Sequence, residues 1–275
     1  MCNQEFIKIS FNMKKLEEIY SKYQTKKLTT EEIAFILEIE DSIYSFDYTR
    51  DPRIDEVKNS LSIEDLNRLF QDEKVYNNSN VHINLYGIKD PSKLVFPEKF
   101  LGSLSFPGLK SANGLKLPKY LGGVSLDALE NANGITFPEQ TNYLSLSKLK
   151  IAEGLVLPKN IGTLNLSSLK DPSGLKLSQN IDNLFLYSLE RAEDLVFPTV
   201  MKELHLSGLV DAKGLKLPIV IETLKLKSLK SAKNLVLPEI MRGELDLSGI
   251  EDGTGLICPK KWEVYIWVHC KMLKL

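Results

Sequence analysis

Between Leu104 and Pro238 the chain repeats one arrangement of apolar and polar positions every 20 residues. An apolar residue and two variable ones lead into Leu-x-Leu-x-x-Leu-x-x-Ala-x-Gly-Leu-x-Leu-Pro. The string recurs from Leu121, Thr141, Ile161, Ile181, Met201 and Ile221. Self-similarity at this period is the signature of a solenoid, in which each coil hides its apolar residues against its neighbours. The Leu-x-Leu pairs (Leu144/Leu146, Leu164/Leu166, Leu224/Leu226) alternate as a strand with one face buried does. Stacked coils place these strands side by side as a parallel sheet. Pairs such as Leu115/Leu117 fill the opposite side of the same core, and Leu129, Leu149 and Leu169 fill the turn between. A buried leucine contributes about 1.5–3 kcal/mol. Five or six per coil outweigh the ordering cost only when adjacent coils cover them.

The remaining fixed positions predict the corners. Gly114, Gly134, Gly154, Gly174, Asp194, Gly214 and Asn234 occupy one place in successive coils. These residue types most readily take φ > 0, so the chain makes a left-handed turn there. Ala112 and its equivalents, with Pro172 the exception, sit two residues earlier in a tight corner. Pro118, Pro138, Pro158, Pro198, Pro218 and Pro238 lack an N–H for a ladder. They predict an extended or polyproline back rather than a second continuous sheet. The array opens at Ile83 and carries a one-residue insertion near Phe100-Leu101. Its last coil slips by one residue at Gly243-Glu244. The tail Trp262–Cys270 alternates as a strand that seals the open end.

Residues 1–80 carry no repeat. Helical spacing predicts elements near 12–26, 30–44, 53–60 and 62–71, with Thr30 as an N-cap and Ser62-Ile-Glu-Asp65 as a capping box. Residues 72–81 form a polar connector. The fold expected is a leucine-rich-repeat solenoid with an N-terminal α-helical cap. The cap covers 1–80, the array of about nine coils covers 81–260, and a capping strand covers 261–275.

Over roughly residues 83–260 the pattern resembles the short leucine-rich repeats of bacterial effectors of the IpaH/YopM type. Those share the 20-residue period, the Leu-x-x-Leu-x-Leu strand and a Leu-Pro back, and they also carry a helical segment ahead of the array. That family has Asn three residues after the second strand leucine. Here the position is Leu or Ile, from Ile88 to Ile250. The Ala-x-Gly-Leu turn also differs. The family's ubiquitin ligases add a catalytic domain with a Cys-x-Asp nucleophile. None of Cys2, Cys258 and Cys270 is followed two residues on by Asp, so the resemblance implies no ligase.

No catalytic constellation emerges. His82, His205 and His269 are far apart, and adjacent His269 and Cys270 point to opposite faces of a strand. Gly122-Gly123 lacks the lysine of a phosphate loop. Glu251 and Asp252 belong to a solvated turn rather than a calcium loop. No cofactor or metal is expected. The net charge of −1 lacks the excess of a nucleic-acid binder. Three cysteines in no metal spacing suit a reducing compartment, such as a bacterial cytoplasm or the host cytosol after secretion. No run of 18 apolar residues predicts a membrane span.

What remains is a surface. The outward positions of the expected concave face are mostly serine early in the array and richer late. Phe185, Tyr187, His205, Lys225 and Lys227, with Tyr143 beside the strand, form the candidate site for a partner protein or peptide. Aromatics beside cations are the composition of an interface hot spot. Coils about 4.8 Å apart give this face a length of roughly 40 Å. Val200, Val220 and Ile240 recur along one edge and are expected to tuck under the next coil, the alternative being an apolar dimerisation strip. A second reading is an enzyme whose helical domain acts while the repeats select the substrate. Against it, that domain shows no defensible Cys/His/Asp or paired-acid constellation, and Asp41, Asp47 and Asp51 read better as loop solvation.

Overall fold

The computed structural model describes residues 2–39, 51–193, 195–257, 261–262 and 267–269, with the backbone alone for 2–9, 261–262 and 267–269. Five helices lead the chain: α1 Cys2–Tyr23, α2 Thr30–Glu38, α3 Pro52–Ser60, α4 Ile63–Phe70 and α5 Glu73–Tyr76. Strands β1 His82–Asn84, β2 Lys99–Ser105, β3 Tyr120–Ser125, β4 Gln140–Ser145, β5 Asn160–Asn165 and β6 Asn180–Phe185 follow. The series continues with β7 Val200–His205, β8 Val220–Lys225, β9 Ile240–Met241, β10 Glu244–Asp246, β11 Lys261–Trp262 and β12 Trp267–His269. All described pairings are parallel within one 12-stranded sheet: β1 to β8 follow sequence order, β10 and β12 continue that path, and β9 with β11 branches from β8. The result is a parallel-strand solenoid of about eight turns.

Register follows the repeat. Leu144 pairs with Leu164 and Leu164 with Leu184 on adjacent rungs, and all three are fully buried. Each strand begins earlier than the Leu-x-Leu pair. The second leucine lies just past its end, where Leu146 N–H still donates to the Asn165 carbonyl of the next coil at 2.9 Å. Leu129, Leu149, Leu169, Leu189, Leu209 and Leu229 are buried as expected. The corner is a tight turn. Leu115 N–H donates to Ala112 O at 3.0 Å, and Gly114 between them has φ +78°. That bond with a left-handed third residue marks a type II turn. Asn234 takes the same conformation at φ +67°, whereas Asp194 lies outside the described residues. On the back, among the described residues, only isolated bridges such as Lys116–Thr136 and Val196–Lys216 join the coils.

The helices depart in detail from the sequence expectation. The first begins at Cys2 rather than near residue 12, and Met13, Leu16, Ile19 and Tyr20 are among its buried or half-buried positions. The second is capped by Thr29, not Thr30. A capping box needs its acid three residues on, and Glu32 answers Thr29. Residues 40–44 of its expected span lie outside the described residues. The Ser62–Asp65 capping box forms as read. The connector 72–81 holds α5.

Contact between helices and solenoid is direct. Phe70 packs on Phe96 and Phe100, with centroids 4.5 and 6.3 Å apart, so α4 and the first coil share one core. Asn67 imitates a neighbouring coil. Its side-chain Nδ2 donates to Lys93 O at 3.0 Å, and its Oδ1 accepts from Val95 N–H at 2.8 Å.

Candidate functional site on the sheet face

In β4 to β8 two consecutive residues between the buried ones keep exposure on the outer side. In β4, Asn142 and Tyr143 are exposed between buried Thr141 and Leu144. The outward residues of successive coils line up in columns set by the register. One column runs Ser103, Gly123, Tyr143, Thr163, Asn183, Glu203 and Thr223. A second runs Asn84, Ser105, Ser125, Ser145, Asn165, Phe185, His205, Lys225 and Asp246.

Three of the six predicted site residues meet as a ring cluster. Phe185 stacks on Tyr187 at 5.7 Å between centroids. His205 lies 4.7 Å from Phe185 and stands edge-on to Tyr187 at 5.5 Å. Tyr187 remains 44% exposed, whereas the other two are half-buried. Burial holds the His205 imidazole below its usual pKa, although Glu203, 3.3 Å away at Nε2, pulls the other way. Burial, helped by the Glu203 charge, pushes the Tyr187 hydroxyl up. The cluster is therefore neutral at physiological pH and offers aromatic surface with a carboxylate at its edge.

The two lysines are not open charges. Lys225 pairs with Glu244, and Lys227 lies 3.7 Å from Asp246, both on the following coil. Burial pushes the Asp246 carboxyl up, but bonds from Ser248 together with the two lysines outweigh it and hold it below the usual range. Tyr143 stands apart, two coils before the cluster, and is 40% exposed. The edge residues do not tuck uniformly. Val220 and Ile240 are half-buried, but Val200 stays 59% exposed.

The early coils hold a site that sequence reading misses. A groove of about 470 Å³ runs over Ser103, Ser105 and Ser125, between Tyr143 on one side and Leu37 and Glu38 of α2 on the other. Beside it, a Cβ at Gly123 would crowd the floor residue Ser103, whose Oγ it would meet at 2.7 Å. Next to it, Asp127 accepts from the hydroxyls of Ser125 and Ser145 and from Ser147 N–H at 3.0 Å. Burial pushes that carboxyl up, but these donors more than offset it and hold it below the usual range. The serines thus partner a fixed charge, and Ser145 is itself buried. The glycine pair Gly122-Gly123 was the only local signal of a depression.

Of the three acids weighed for catalysis, one lies among the described residues. Asp51 caps α3 and is paired with Arg53 at 2.7 Å, while Asp41 and Asp47 lie outside the described residues. Among the described residues no group of three or more His, Cys, Asp or Glu side chains could hold a metal ion. None of the described helices is long and apolar enough to cross a membrane. Fold and surface together define a parallel β-solenoid with a chemically graded sheet face. Compared with family models, curated proteins and solved structures, the chain has no match.

Proposed function

We propose that the protein is a leucine-rich-repeat recognition module that binds a partner protein or peptide non-covalently on its sheet face. The observation that carries this reading is the Phe185–Tyr187–His205 cluster, three rings in contact, with Tyr187 exposed, on a face built mostly of hydroxyls, amides and paired charges. Interface energy concentrates in such anchors, with a polar rim that excludes water. The Lys225–Glu244 and Lys227–Asp246 pairs supply that rim. Because the lysines are already neutralised, a protein is a better fit than a nucleic acid, whose binding depends on unpaired cations.

The helices act as the N-terminal cap. The Phe70 packing and the Asn67 imitation of a strand support this role, since terminal coils need their apolar edge covered. The resemblance to effector repeats supports a bacterial protein that works in a cytosol, its own or a host's.

The test is affinity capture with wild type, a Phe185→Ala/Tyr187→Ala/Lys225→Glu variant and a Ser147→Ala/Ser167→Ala control. Loss of two anchor side chains is expected to weaken the captured partner by about 30-fold or more, the control leaving it unchanged. A partner list identical for all three would overturn the reading.

A further inference from the structure

On the late coils the acids Asp182, Glu244 and Asp246 each meet a lysine, Lys202, Lys225 and Lys227 in turn. Glu203 meets none among the described residues. Its partner is His205, whose Nε2 lies 3.3 Å from Oε2. Burial keeps that imidazole below its usual pKa. At neutral pH, with its proton on Nε2, it therefore lends the carboxylate one N–H and no charge. The Glu203 side chain is 44% exposed, and Tyr187, edge-on to the same imidazole, is exposed too. Burial first and the Glu203 charge second push the Tyr187 hydroxyl up, so carboxylate and phenol stand within electrostatic reach of each other. An uncompensated anion beside an exposed ring suits a cation with an apolar stem.

Resting on the reading of this face as a partner surface, we infer that the aromatic cluster seats a lysine side chain of the partner, its ammonium held by Glu203 and the Tyr187 ring. The four-carbon stem covers ring surface while the charged head stays wet. The ammonium is drawn to the electron-rich ring and to the carboxylate together. Lysine fits better than arginine, because Oε2 already faces His205 and one free oxygen suits a point charge rather than a two-pronged fork. The seat contains its own competitor. Protonated His205 would itself be a cation beside Glu203, with its ring 4.7 Å from Phe185 and 5.5 Å from Tyr187. The other charges that act on it, Lys225 and Glu244, pair with each other. Lysine binding and His205 protonation therefore oppose one another. Affinity is full above the His205 pKa and lost as pH falls through it, and bound lysine lowers that pKa in return.

The probe is N-acetyl-lysine methylamide, titrated into the full chain and followed by amide chemical shifts. Its control is the norleucine analogue, which keeps the stem and lacks the ammonium. The lysine compound is expected to shift the amides of Tyr187, Glu203 and His205 and to bind about tenfold more tightly than the control. Glu203→Gln should remove most of that preference, and Tyr187→Ala should weaken the lysine compound. Tyr143→Ala, two coils away, should change neither. Acidification through the histidine range should erase the preference, and the His205 ring protons should titrate at lower pH when the lysine compound is bound. Equal binding of the two compounds, no binding of either, or a preference that survives Glu203→Gln would overturn the lysine seat. The sheet-face reading would still stand if the affinity capture described above remained sensitive to Phe185 and Tyr187. Loss of the seat together with capture indifferent to those rings would count against both.

Discussion

Side chains at the left-handed corner separate two costs that usually come together. At Gly154, φ is +74° and an added Cβ would meet nothing within 4 Å. At Gly174 the same atom would lie 2.9 Å from Glu153 Cα. Gly154→Ala should therefore cost the backbone term alone, about 1–2 kcal/mol in urea unfolding. Gly174→Ala should cost more, because a backbone atom must also move. Gly154→Asn should cost less than Gly154→Ala, since Asn234 already holds this conformation. Equal costs at the two sites would mean that the neighbouring coil yields freely. This corner could be read from sequence, because the substitution set Gly, Asn and Asp at one repeated place has a single backbone meaning. The pairing of Lys225 and Lys227 could not. A strict 20-residue step sets Lys225 opposite Leu245; the slip at Gly243-Glu244 sets it opposite Asp246 instead.

Elements in this chain are joined by groups that stand in for missing neighbours. Asn67 on α4 supplies the donor and acceptor that a preceding coil would have given Lys93 and Val95. Asn67→Ala should lower stability by about 1–2 kcal/mol, and Asn67→Asp, which keeps the acceptor, by less. Hydrogen exchange at the Val95 amide reports the same contact. It should quicken in Asn67→Ala and stay slow in Asn67→Asp. Local spacing made the Ser62 capping box legible and left Thr29 and Thr30 ambiguous, two threonines before two acids. The groove was illegible for a different reason. It exists only where Leu37 and Glu38 meet strands that begin more than forty residues later, a contact no periodic pattern encodes.

Over the whole molecule, ion pairs and leucine packing add to the ladder hydrogen bonds that cross from coil to coil. Ion pairs one repeat apart, such as Lys150–Glu130 and Lys170–Glu190, both at 3.0 Å, are exposed. Each is worth about 0–1 kcal/mol and is screened by salt. Buried leucines are worth far more. Leu164→Ala, at a fully buried site, should cost about 2–5 kcal/mol. Molar sodium chloride should therefore lower the unfolding free energy by less than this one substitution. A larger salt effect would mean that the charge ladders, not the leucines, hold the coils together.

The unbroken spacing from Leu104 to Pro238 also bears on the gene. An in-frame duplication or loss of 20 codons, starting anywhere in that interval, returns each leucine, glycine and proline to its own column. Recombination between misaligned repeats therefore yields a foldable chain one rung longer or shorter, whereas a shift of one codon does not. Reach along the face is thus heritable in whole rungs, each about 4.8 Å. Such an event between the groove and the aromatic cluster would alter their separation without touching either.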